Sequence, residues 1–303
     1  MKINHTYSII ALSDDHSEIG VAVQSHWFAV GAICPWITPG VGAIATQSMV
    51  KVSYGPKGLE LLRKGNNAKQ TLQLLLAPDT ERELRQVAII DVKGMIATHT
   101  GKRCIAEAGH RTGINYSVQA NMMLNNTVWQ AMASAFEQTS GKLAHRLFAA
   151  LEAAQREGGD IRGKQSAAII VANNIRDDQP WSHFTTNLRV DDHPQPINEL
   201  QRLLDLEQAY ELMNLGDALI AKGDFVAAKD QYAKAAVLAP DNEELPFWEA
   251  VTLTEMGKIE QALPIFKNVF SINRNWILLV QRLPASGLLP QEPEIMEKIL
   301  SVM

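Results

Sequence analysis

Cysteine is nearly absent from this chain of 303 residues: only Cys34 and Cys104 occur, far apart and outside any CxxC pair. A thiolate zinc site is thereby excluded, and both thiols are expected to be reduced, buried small hydrophobes. No apolar run approaches the ~18–20 residues a membrane span needs. The opening Met1-Lys2-Ile3-Asn4-His5-Thr6 lacks the apolar stretch of a signal peptide. A cytoplasmic protein with no membrane partner is the expectation. GxGxxG and P-loop patterns are missing too, which removes the usual nucleotide readings, and no cofactor is predicted. Nor is there an excess of positive charge. The net charge is −5 and Lys and Arg are scattered, so no nucleic-acid partner is expected.

What is present is ordinary globular material, 46% hydrophobic and 20% charged, in a chain long enough for two domains. Residues 1–195 read as an α/β body. Thr6–Leu12 and Ile19–Ser25 are β-rich runs around the polar turn Ser13–Ser17, a hairpin. Val41–Gln47 is a third strand after the breaker-rich stretch Pro35–Gly40. A helix from Tyr54 carries Leu59, Leu61 and Leu62 on one stripe and ends at Gly65; another covers Asn67–Leu76. Strands follow at Gln86–Asp91, Met95–Thr100 and Tyr116–Asn121, helices at Thr127–Gln138 and Lys142–Glu157, and strands at Gln165–Ala172 and Thr186–Val190. Short links between consecutive strands favour antiparallel pairing over a doubly wound parallel sheet.

Residues 196–303 read as helical throughout. Leu219, Gly223, Ala228 and Tyr232 return 34 residues later as Leu253, Gly257, Ala262 and Phe266, the period and residue types of tetratricopeptide repeats. The tail therefore resembles a repeat pair over about 209–276, with Pro240 ending the first repeat and Arg274 at the matching place in the second. Two repeats are fewer than usually stand alone, so helices near Pro196–Leu206 and Trp276–Leu300 are expected to flank them. The tail is read as a groove for a protein or peptide partner, or as an oligomerisation appendage.

Polar residues at strand ends mark the candidate chemistry. They are Thr6 with Ser25-His26; Thr46-Gln47-Ser48; Thr98-His99-Thr100-Gly101; Gln119 and Asn121, which alternation puts on one face; and the Gly-rich turn Gly158–Ser166 with Asp160, Arg162 and Gln165, joined by Arg189, Asp191 and Asp192. His99, His110, Asp191 and His193 have no i, i+4 ligand spacing, so no metal site is predicted.

Several segments together resemble one family: Thr6-Tyr7-Ser8-Ile9, Gly20-Val21-Ala22-Val23-Gln24-Ser25, Ala45-Thr46-Gln47, Tyr54-Gly55-Pro56-Lys57-Gly58, Gly109-His110-Arg111-Thr112, Gln119-Ala120-Asn121-Met122 and Arg162-Gly163-Lys164-Gln165-Ser166-Ala167. It is the bacterial "domain of unknown function 1028" family, grouped with the N-terminal-nucleophile hydrolases, and the match covers about residues 5–200. The resemblance implies an α+β fold, a four-layer αββα sandwich. It also implies hydrolysis of a small amide or peptide by a Thr whose own free α-amine is the base, and a homodimer. In the family pattern the threonine matching Thr6 follows the initiator methionine. Here Met1-Lys2-Ile3-Asn4-His5 intervene, so Thr6 needs their removal, or another base such as His99. The implied catalytic set is Thr6 as nucleophile with Asn121 and Asp160. Ser25, Gln47, His99, Gln119, Arg162 and Gln165 are the implied substrate-binding residues. The competing reading is a non-catalytic scaffold that recognises partners through an unprocessed body and the repeats.

Overall fold

The structure is a computed structural model and describes residues 3–4 and 6–303. Contacts divide the chain into two compact units, residues 1–202 and 203–303.

The first unit begins with β1 (Ile3–Asn4), β2 (Thr6–Leu12) and β3 (Glu18–Ser25). Next comes β4 (Pro35–Thr38), within the stretch expected to be only a breaker. It pairs along one edge of β5 (Gly42–Met49). Proline is tolerated there because it is the strand's first residue, on an edge. Helices α1 (Tyr54–Arg63) and α2 (Ala68–Leu76) follow. Asn67 and Gln70 form a reciprocal capping box that starts α2. In the first turn of α1, Gly55 lies against the Trp36 indole, so close that a Cβ would sit 2.2 Å from the ring.

Then come β6 (Arg85–Asp91), β7 (Ile96–Thr100), β8 (Gly109–Gly113) and β9 (Tyr116–Ala120), with α3 (Val128–Gln138), α4 (Leu143–Arg156), β10 (Ser166–Asn173) and β11 (Phe184–Val190). Strand β8 was not expected as a strand. Its Gly-His-Arg-Thr-Gly sequence has no β-rich composition, and it is held as a half-exposed edge by pairing with β9.

All pairings are antiparallel. In one sheet β5 carries β1 and β4 on one edge and β6 then β7 on the other; the second sheet runs β11-β10-β3-β2-β9-β8. Ile10, Leu12, Ile19, Val21 and Val23 of the second sheet pack against Ala43, Ala45, Ala88 and Ile90 of the first. The opposite face of the first sheet, with Ile44, Val87 and Ile89, is covered by Leu59 and Leu62 of α1 and Leu72 and Leu75 of α2. Helices α3 and α4 lie on the second sheet, α3 along β8 and β9 and α4 along β2 and β3. The Tyr116 and Phe136 rings meet there at 4.8 Å.

The boundary between units falls inside α5 (Pro196–Ala221), followed by α6 (Phe225–Leu238), α7 (Glu244–Glu255), α8 (Ile259–Ile272), α9 (Asn275–Val280) and α10 (Pro293–Leu300). The separate helix expected near Pro196–Leu206 is instead the start of one continuous helix, because neither Gly nor Pro interrupts residues 197–215. The far end divides the other way: Pro284 and Gly287 break the expected Trp276–Leu300 helix in two. Gly223 and Gly257 adopt φ of 82° and 72° in the α5–α6 and α7–α8 turns, a conformation glycine takes at little cost. The core of this unit holds Ala228, Tyr232, Ala262 and Phe266, with Phe247 in contact with the Trp248, Phe266 and Trp276 rings. Among the described residues no helix is long and apolar enough to cross a membrane.

Candidate functional site

Strand alternation decides what lies between the sheets. Along β2, Thr6, Ser8, Ile10 and Leu12 share one face, and their register partners on β3 are Ser25, Val23, Val21 and Ile19. Along β9 the corresponding series is Ser117 and Gln119; along β5 it is Ala43, Ala45 and Gln47, and along β6 Gln86, Ala88 and Ile90. The inter-sheet layer is therefore apolar at one end and polar at the other.

The polar end is a buried chain of hydrogen bonds. Ser117 Oγ donates to Gln119 Oε1 at 3.0 Å, Gln119 Nε2 to Ser8 Oγ at 2.6 Å, and Ser8 Oγ to Gln47 Oε1 at 2.6 Å. Gln47 Nε2 donates onward to Gln86 Oε1 at 2.7 Å and to the Thr6 carbonyl at 3.0 Å. Gln86 is the hub. Its Oε1 also accepts from Asn121 Nδ2 at 2.8 Å, and its Nε2 reaches the Ala120 carbonyl and Thr100 Oγ1, each at 2.9 Å. Thr100 in turn meets His110 Nδ1 at 2.8 Å. The Thr6 carbonyl also lies 3.2 Å from the Asn121 backbone N–H and 3.4 Å from its side-chain amide. Buried amides are tolerated because they are mutually satisfied; an unpaired one costs about 1–3 kcal/mol. Cys34 abuts this chain, its Sγ 3.7 Å from Gln47 Oε1, and burial pushes the thiol far above its ordinary range. It is therefore a neutral thiol, unsuited to act as a nucleophile.

Thr6 opens β2, fully buried, with Ser25 as its register partner. Two residues earlier Asn4 pairs with Ser48 on the other sheet. The chain thus passes from one sheet to the other at the polar end of the layer. Ser48 is buried and holds φ of 71°, and Met122, just after Asn121, holds 59°. Such left-handed backbone in residues other than glycine persists only where surroundings enforce it, and it concentrates near functional sites. The expected removal of residues 1–5 concerns a segment of which Met1, Lys2 and His5 lie outside the described residues.

Of the residues singled out from the sequence, Thr6, Ser25, Gln47, Gln119 and Asn121 come together here. Asp160 and Arg162 stand at the neighbouring strand end and are bound to each other. Asp160 is buried, accepting from the His26 backbone N–H at 3.2 Å and from Arg162 Nε and its terminal nitrogen at 3.0 and 2.7 Å. Burial, and then the Asp160 charge, raise the Tyr7 hydroxyl well above its ordinary range.

Three expectations are corrected. His99 does not approach Thr6. Its register partner is Val87, which faces α1 and α2, and its ring bonds the Arg82 carbonyl at 2.8 Å. Thr100, one residue on, is the strand-end side chain that enters the polar layer. Gln165 also turns away, its amide donating to Asp192 at 3.0 Å in an exposed pair, although its backbone N–H bonds the Ser25 carbonyl. Cys104 is half-buried rather than buried. Among the described residues no three His, Cys, Asp or Glu side chains gather as a metal would need. His110 is engaged by Thr100, Asp191 by Arg189, and His193 by the Gln195 backbone.

The sequence reading missed Ser8, Gln86 and Ser117 as members of this layer, and named Thr100 and His110 without assigning them to it. The signal for Gln86 was its place two and four residues before Ala88 and Ile90, which fixes a shared face without saying which neighbour covers it.

A model of a family of unknown function, DUF1028, matches residues 6–200 of the chain. The chain belongs to DUF1028. A solved DUF1028 structure, protein SPO2555 from Silicibacter pomeroyi, is similar to it at 29% sequence identity and a TM-score of 0.59. That match covers 66% of this chain and 88% of that one. No curated protein matches. The DUF1028 match takes in every residue of the polar layer and ends before most of α5.

Proposed function

We propose that the DUF1028 body is an amide hydrolase of the N-terminal-nucleophile type, an αββα sandwich that works once the residues ahead of Thr6 are removed. The C-terminal helices are then a tetratricopeptide-like, partner-binding tail on a cytoplasmic protein. The observation that carries the first reading is the position of Thr6. It begins β2 at the polar end of the inter-sheet layer, where the Gln47 and Asn121 amides both reach its carbonyl. In the uncleaved chain its nitrogen is a peptide nitrogen and accepts no proton, and its side chain is buried. Cleavage before Thr6 frees an α-amine that titrates near ~8 and so serves as a base at neutral pH.

The Thr6 hydroxyl oxygen then attacks the substrate carbonyl carbon while its proton passes to the α-amine. The oxyanion takes hydrogen bonds from backbone N–H groups or the Asn121 amide, a contribution typically about 3 kcal/mol for one donor. Collapse breaks the C–N bond, and the departing amine takes the proton from the α-ammonium. Water, deprotonated by the same amine, hydrolyses the resulting ester and restores Thr6. The substrate is a small amide or peptide, and no step calls on a cofactor.

Full burial of the Thr6 side chain favours a second reading, a recognition protein with an uncleaved body. Intact-mass measurement of the untagged protein, together with a panel of aminoacyl p-nitroanilides, separates the two. A chain beginning at Thr6 that hydrolyses an anilide, with activity abolished in Thr6→Ala and partly kept in Thr6→Ser, supports the hydrolase. An intact chain that hydrolyses nothing leaves the binder.

A further inference from the structure

The C-terminal unit has two cavities that share one wall. The larger, about 300 Å³, is lined by Ile220, Phe225, Leu253 and Ile265; the smaller, about 210 Å³, by Met213, Leu245 and Pro246. Tyr232 and Glu249 line both. Glu249 is therefore a carboxylate on the ridge between two largely apolar depressions, and among the described residues it makes no hydrogen bond or ion pair. An anionic group half-buried without a partner costs free energy, which marks it as a candidate binding residue.

The groups facing Glu249 come from three helices. Asp217 on α5 is a second carboxylate, its Oδ1 accepting from Tyr232 at 2.6 Å and Thr252 at 3.2 Å. Tyr232 and Lys229 come from α6. Lys229 lines the larger cavity but is exposed and makes no ion pair among the described residues. Gln261 and Asn268 on α8 are uncharged. The local balance is thus two carboxylates to one solvated ammonium, with apolar walls on either side.

We infer that Glu249 anchors a lysine or arginine side chain of a partner protein's peptide segment, with that residue's apolar stem in the larger cavity and an adjoining apolar side chain in the smaller. Charge complementarity selects the cation, and the paired depressions select a peptide over a free amine, which fills one of them. This rests on the reading of the tail as a partner-binding surface and is independent of the hydrolase.

The test is calorimetric titration of the full chain at pH 8.5, where Glu249 is ionised, with acetyl-Ala-Leu-Lys-Leu-Ala-amide, its norleucine and glutamate counterparts at the lysine position, and hexylamine. The lysine peptide should bind roughly tenfold tighter than the norleucine peptide, and Glu249→Gln should remove that difference. The thermal midpoint of Glu249→Gln should be unchanged or raised, since the substitution removes a desolvated charge while keeping the shape. Equal binding of the lysine and norleucine peptides, unaffected by Glu249→Gln, overturns the role of Glu249 but leaves the groove. Hexylamine binding as tightly as the lysine peptide overturns the peptide. Binding of none of the four overturns both the anchor and this groove as the partner surface.

Discussion

The Gln86 side chain joins strands of both sheets in the polar layer. Replacing it with leucine removes the acceptor shared by Gln47 and Asn121 and leaves the Ala120 carbonyl without its amide. The expected loss is about 2–4 kcal/mol, because buried polar groups are stranded rather than exchanged for water. Urea denaturation should show the midpoint falling with little change in slope. Ser8→Ala takes the acceptor from Gln119 Nε2 and leaves Gln47 Oε1 with only the Cys34 thiol as donor, and should cost about 1–3 kcal/mol. If Gln86→Leu unfolded at the wild-type midpoint, the layer would hold the sheets together far less than its geometry implies.

Single elements test two further points. Gly55→Ala forces a methyl into the Trp36 ring at the start of α1, and overpacking of this kind typically costs about 1–3 kcal/mol. A thermal midpoint within a degree of wild type would contradict that packing. In the C-terminal helices, burial lifts the Glu249 carboxyl to about 7, Asp217 adding to the shift and Lys229 opposing it. An acid whose folded pKa exceeds its unfolded value of ~4.3 binds more protons when folded. The stability of these helices should therefore be greatest at the acid end of that interval, fall as pH rises through it, and level off above about 7. Glu249→Gln should flatten the profile, as thermal midpoints across the range would reveal.

The elements were legible in the sequence wherever local composition decided them. The hairpin over Thr6–Ser25 and the start of α1 at Tyr54 need only β-rich runs, turn residues and helical spacing. Strand β4 was hidden by Pro35, Pro39 and Gly40 around its strand-favouring Trp36-Ile37-Thr38, and β8 was not legible because Gly109–Gly113 pairs by virtue of a neighbouring edge, not of its own residues. The site divides in the same way. Gln119 and Asn121 could be put on one face by counting alternate residues. His99 and Thr100 could not be sorted, since both end the same strand and only the covering layer tells which side is inward.

On the scale of the molecule, each unit has its own apolar core: one between and outside the two sheets, the other around Phe247 and Phe266. Scanning calorimetry of the full chain should accordingly resolve two transitions, and residues 1–202 expressed alone should keep the body's circular dichroism. One sharp transition, or an insoluble fragment, would show that the cores do not stand separately.

The ladder at Asn4 and Ser48, two residues ahead of Thr6, bears on how this protein is handled at the bench. A purification tag fused at the front of the chain adds residues ahead of a strand that lies on the first sheet, just before the opening of β2. On the proposed hydrolase reading, it would crowd the end of the layer where the substrate is expected to enter. Preparations meant for activity screening should carry their tag behind Met303, and a silent result from a front-tagged sample would say nothing about Thr6.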